Sequence, residues 1–287
     1  MRLSVRAALP VSVVAILPAA VLLLAGCGTG VGSDAAAADS SAADAVARAV
    51  AKTEGVTSLA YRVTGQYPER GRIADEGTVR TKPVTGSLKT ANLTGEEQGE
   101  TEMRLVDGVL YGTADADLAD EIGGRHWISY GPAAKLTTDS GLRMDVGWMR
   151  DQVGRNPARE AAYLAAADDV RRIGGETVDG VGTTHYEGTA TVEELRAAFK
   201  ERGDKATREG HGRSLDQYKR LGVDELTLDV WVDGDDRVKR LRTQGFGRHG
   251  ELDLTFTFLD YDEPVTVRAP RPGDTADLRK PLRKSGS

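Results

Sequence analysis

Leu226-Thr227-Leu228-Asp229-Val230-Trp231-Val232-Asp233 alternates apolar with mostly polar residues, and Leu252-Asp253-Leu254-Thr255-Phe256-Thr257-Phe258 repeats the pattern. A period of two marks strands with one face on a core and the other turned outward. The turn 233–236 leads into a third strand over 237–244, and residues 265–268 are expected to end the sheet. Leu226, Leu228, Val230, Leu252, Leu254, Phe256 and Phe258 then share one face. A slip of one residue in register would move the whole set to the other side. Trp231 falls opposite them, so it covers the outer face unless the cavity lies on that side.

Upstream, the same period recurs between residues 59 and 130. Leu59, Tyr61 and Val63 alternate, weaker strands are expected over 78–82 and 84–92, and 127–130 adds another. Residues 100–106 and 109–113 flank Asp107-Gly108, the strongest short hairpin signal in the chain. Helical patterns interrupt the strands. Residues 42–54 carry Val46 and Val50 four apart, with Gly55 to close the helix. Pro157 suits a first helical turn ahead of 159–168. Thr191 and Glu194 form a capping box that starts a helix over 192–202, and 203–222 is a charged helical or loop segment. Two short strands are expected near 170–173 and 183–189. This order fits an α+β fold, a curved antiparallel half-barrel sheet with helices packed on its concave face.

The N-terminus reads differently. Arg2 and Arg6 precede a charge-free apolar run over residues 7–25, the pattern of a secretory signal peptide. A membrane-spanning helix is the alternative, weakened by Pro10 and Pro18. Leu24-Ala25-Gly26-Cys27 resembles the lipobox of bacterial lipoproteins, in which the cysteine thiol receives lipid and cleavage occurs just before it. Cys27 is the only cysteine, so it is the candidate lipidation residue, and no disulfide supports the fold. The expected divisions are a signal peptide over 1–26, a flexible tether over 27–43, a domain over 44–270 and a disordered polar tail over 271–287. Losing Arg2 and Arg6 makes the formal charge of −6 more negative by two, which argues against nucleic acid as partner.

Several motifs carry less than they suggest. Gly245-Phe246-Gly247-Arg248-His249-Gly250 matches G-x-G-x-x-G, but a strand follows where a dinucleotide site needs a helix. Asp115, Asp117, Asp120 and Glu121 cluster, yet the glycine and terminal glutamate of a Ca²⁺ loop are missing. His126, His185, His211 and His249 lack metal-ligand spacing, so no metal and no cofactor is expected. There is no G-x-S-x-G elbow, and the lone cysteine is taken by lipid. Catalysis is not expected. Trp127, Trp148 and Trp231 read as packing residues before ligand platforms.

Asp107-Gly108-Val109-Leu110-Tyr111 followed by His126-Trp127-Ile128-Ser129-Tyr130 resembles the LppX/LprG-type lipoproteins of actinobacteria, which share the LolA-like fold. Leu228 to Asp233 with Arg240-Leu241, Phe256 to Tyr261, and Pro264-Val265-Thr266-Val267 extend the resemblance over roughly residues 42–270. It implies a half-open barrel with an apolar cavity for an acylated lipid or glycolipid, at the outer face of the cytoplasmic membrane. The expected cavity lining is Leu226, Leu228, Val230, Leu252, Leu254, Phe256 and Phe258. The alternatives are that this face packs solid on the helices, or that the chain is an envelope regulator bound to a membrane protein. A membrane transporter or sensor is the protein partner these readings allow.

Overall fold

The structure is a computed structural model and describes residues 31–94, 98–133, 135–137 and 143–279. Residues 1–30, which include the expected signal peptide and Cys27, lie outside the described residues, as do 280–287. No described helix is long and apolar enough to cross a membrane.

The chain opens with α1 (Val31–Glu54). Ala42, Ala45, Val46, Ala49 and Val50 are buried, the stripe a helix presents to a core. The helix begins eleven residues before the expected position and so runs through much of the segment read as a tether. Alanine, the best helix former, dominates there. Six strands follow: β1 (Ser58–Tyr67), β2 (Gly71–Thr81), β3 (Val84–Asn92), β4 (Gly99–Val106), β5 (Val109–Thr113) and, after α2 (Ala116–Glu121), β6 (Trp127–Gly131). Asp107 and Gly108 both have positive φ, 49° and 75°, as the tight hairpin between β4 and β5 requires.

A small hairpin, β7 (Lys135–Thr137) and β8 (Arg143–Asp145), leads into α3 (Val146–Gly154), a 3₁₀ turn at Pro157–Glu160 and α4 (Ala161–Leu164). The helix expected over 159–168 is thus split and ends early. Then come β9 (Arg171–Val178), β10 (Val181–Thr191), α5 (Val192–Phe199) and α6 (Lys205–Leu221). The capping box is present: Glu194 N–H donates to Thr191 Oγ1 at 3.2 Å and Thr191 N–H to Glu194 Oε2 at 2.8 Å. Gly222, left-handed at φ 73°, closes α6. The chain ends with β11 (Glu225–Asp233), β12 (Val238–Gly247), β13 (Gly250–Tyr261) and the short β14 (Thr275–Asp277).

Among the described residues twelve strands form one open sheet, ordered β14-β6-β5-β4-β3-β2-β1-β13-β12-β11-β10-β9. All neighbours are antiparallel except β14, which runs parallel to β6. The α+β class and the open antiparallel sheet expected from the sequence are therefore the ones found, with the helices on one face.

Two expectations at the C-terminus are corrected. Residues 265–268 do not join the sheet. They pass across the outer face, where Arg104 Nη1 donates to Arg268 O at 3.3 Å, and a segment crossing strands cannot continue their ladder. The tail is not disordered at its start: residues 272–277 make a 3₁₀ turn and β14, and Ala276 is buried beside β6. Its polarity hid this, because a three-residue edge strand needs only one inward apolar side chain.

Candidate functional site

The helix-facing side of the sheet carries two cores. The larger packs α1, α4, α5 and α6 on β1 and β10–β13; the smaller joins Leu105, Leu110, Ile128, Tyr130, Val146, Val153 and Ala276 under α3. Leu88 of β3 touches both. At this seam lies a cleft of about 350 Å³. Its floor follows strand register: Phe256, Val63, Asp75, Thr90 and Thr101 stand in one row across β13, β1, β2, β3 and β4. Tyr61, Gly77, Leu88 and Met103 form the next row. Gly77 is glycine for space, since a Cβ there would sit 2.1 Å from Tyr61 Cζ.

The roof comes from α3. Asp145 caps that helix by accepting from Trp148 N–H at 3.0 Å. Trp148, Gln152 and Arg155, at i, i+4 and i+7, turn one face to the cleft. Trp148 stays 39% exposed at the rim. Gln217 of α6 donates to Tyr67 Oη at 2.5 Å and closes the far wall.

Charge in the cleft is sparse and held. Burial pushes the Asp75 carboxyl up to about 6, against the opposing effects of Arg70 and a hydrogen bond from Thr90. Its Oδ1 is buried without a hydrogen-bond partner. Arg155 pairs with buried Glu160 at 3.1 Å and donates to Ser214 Oγ at 2.7 Å. Glu160 also accepts from Ser214 Oγ at 3.1 Å and Tyr218 Oη at 3.0 Å. This network ties α6 to the 3₁₀ turn and fixes Arg155 over the cleft.

All seven residues expected as lining lie in the larger core on the helix-facing side. Leu226, Leu228, Val230, Leu252 and Phe258 pack solidly there with no exposure. Leu254 and Phe256 reach the cleft wall. The rest of the lining comes from β1–β4, the β1–β2 turn, α3 with the residues just after it, and Gln217 of α6, none of which was named as cavity lining from the sequence. The signals were present: Tyr61 and Val63 belong to the alternation of β1, and Trp148, Gln152 and Arg155 have helical spacing. Neither signal shows where helices leave a sheet uncovered.

Trp231 covers the outer face. It stacks on His185 and donates from Nε1 to Glu176 Oε2 at 2.9 Å. His185 contacts Asp229 through Nε2 at 2.7 Å and Glu176 through Nδ1 at 3.0 Å. The glycine-rich motif is the β12–β13 hairpin: Gly247 pairs with Gly250, and a Cβ on Gly247 would lie 2.3 Å from Leu221 O. Asp115 caps α2 by accepting from Leu118 N–H. His126 contacts Asp274, and His211 packs on Tyr163 and Phe199. Among the described residues no group of three His, Cys, Asp or Glu side chains is arranged to hold a metal ion.

Fold and cleft define an α+β protein whose open sheet wraps one layer of helices and leaves a mainly apolar cleft at the seam between two cores. No protein-family model matches the chain. It is 29% identical over 242 residues to an uncharacterised 31.2 kDa protein of Streptomyces griseus, covering 83% of this chain and 76% of that one. It is 28% identical over 215 residues to a Streptomyces coelicolor protein named "Putative lipoprotein SCO4650", covering 74% of this chain and 64% of the relative. Among solved structures it is similar to LprF from Mycobacterium bovis, with TM-score 0.49 and 15% identity over 80% of this chain and 97% of the other. The Mycobacterium tuberculosis lipoprotein LppX matches with TM-score 0.48 and 17% identity, covering 80% and 100%.

Proposed function

We propose that this chain is an exported lipoprotein, anchored through Cys27 at the outer face of the cytoplasmic membrane, that binds an acylated lipid. The observation that carries the reading is the cleft, walled by Val63, Ile73, Leu88, Met103, Leu254 and Phe256. Its volume of about 350 Å³ falls in the range of small-molecule sites. Each methylene buried there contributes about 0.8 kcal/mol, so ten of them supply roughly 8 kcal/mol before the costs of ordering. The Streptomyces coelicolor relative bears a lipoprotein name, and the Leu24-Ala25-Gly26-Cys27 motif supports the same anchor.

Native mass spectrometry of a secreted Cys27→Ala form tests the reading. A stoichiometric mass increment that organic solvent removes and that fragments to acyl chains is expected. A bare polypeptide mass, repeated with offered phospholipids and glycolipids, overturns it and leaves a regulator of a membrane protein as the account to pursue.

A further inference from the structure

We infer that the acyl cleft opens into a headgroup subsite for an anionic, phosphate-bearing lipid, built by arginines between α3 and α6. This deepens the acyl-lipid reading and rests on it. A second cavity of about 500 Å³ adjoins the cleft, and Trp148, Gln152 and Arg155 line both. Arg150, Arg155, Arg159 and Arg213 line the second cavity, with Asp151 as its one acidic side chain.

That balance is unusual in a chain of net charge −6. Arg213 Nε holds Asp151 at 2.7 Å, Glu160 neutralises Arg155, and Arg150 donates to the neutral carbonyl of Pro132. Arg159 is exposed, and its charge is felt by Asp204, the cap of α6. The cavity therefore keeps an excess of positive charge. On the α6 side the wall is low: a Cβ on Gly210 would meet nothing within 4 Å, which leaves room for a group several atoms wide. Guanidinium forks match phosphate oxygens in geometry and charge. Trp148, apolar in body and polar at its indole N–H, suits the boundary between chain and head.

The test keeps the acyl chains constant. The full chain, in detergent, is offered dipalmitoyl phosphatidic acid and dipalmitoylglycerol in competition, read by native mass spectrometry. Phosphatidic acid is expected to win by about ten-fold or more, and the Arg159→Gln, Arg213→Gln double variant is expected to bring the ratio close to one. Both arginines are exposed, so unchanged thermal unfolding separates this effect from misfolding. Equal binding of the two lipids, or a preference that survives the double variant, overturns the inference while the acyl-lipid reading stands. Glycerol phosphate binding as tightly as phosphatidic acid identifies a free-phosphate site and also overturns it. Binding of neither lipid overturns the acyl-lipid reading itself.

Discussion

His185 lies flat against Trp231, their ring centroids 4.1 Å apart and their planes 10° from parallel. The pair stands on the face of the sheet away from the helices, between β10 and β11, where the register sets the two residues opposite each other. Asp229 and Glu176 grip the two nitrogens of the imidazole, and Glu176 accepts from the indole as well. Four side chains thus satisfy one another where the sheet has no helix to cover it, and Arg240 lies 5.5 Å from the Trp231 ring.

Removing the imidazole leaves Asp229, only 5% exposed, without this partner. His185→Ala is expected to cost about 2–4 kcal/mol of folding stability. Urea unfolding at pH 7 measures it, and a loss below about 0.5 kcal/mol would show the cluster to be ornamental.

Asp75 gives the protein a pH dependence of definite sign. Its folded-state pKa is raised from 3.8 to about 6, so the folded protein holds this proton to higher pH than the unfolded chain does. The stability this supplies is fully present below about pH 4 and is lost as pH rises through about 6. Asp75→Asn does not titrate, so it is expected to be more stable than the parent by about 1–3 kcal/mol at pH 7.5, with little gain at pH 4. Denaturant midpoints at the two pH values check this; an equal difference at both would remove titration as the cause.

Leu88 stands where the two cores meet and is only partly buried. Leu88→Trp is expected to fill the cleft and reduce lipid occupancy by about ten-fold, with the thermal midpoint moving by less than about 5 °C. Undiminished occupancy in a folded variant would place the acyl chain elsewhere.

Ala276, 3% exposed, is the inward residue of β14. Ala276→Asp buries a carboxyl against Ile128 and is expected to cost about 2–4 kcal/mol and to free the edge of β6. Faster cleavage of the C-terminal segment under limited proteolysis would accompany the loss. A variant as resistant as the parent would mean that β14 contributes nothing to the fold.

Much of this architecture was legible locally. Leu226, Leu228 and Val230 alternate because β11 has a dry face, and Asp107-Gly108 adopts the positive φ angles its hairpin needs. Thr191 and Glu194 cap α5 as their spacing predicts, because a capping box involves only four residues. The misreadings share a cause. Residues 265–268 resemble a strand, but the chain there is travelling between sheet positions. Residues 275–277 look like tail, but the open edge of β6 recruits them. Each outcome depends on what lies nearby in space.

The sequence by itself determined which residues turn inward and where the chain reverses, because periodicity and turn chemistry act over a few residues. Only the tertiary structure decided which part of the inward face is open. Leu226 and Leu252 lie under helices, whereas Val63, Leu88 and Met103 border a cleft, although all five carry apolar side chains on the same face. The difference arises where the helices over β10–β13 stop and α3 begins, a boundary set by packing between segments distant in the chain. The row from Phe256 to Thr101 joins residues more than a hundred positions apart through strand register, and no local pattern encodes that alignment.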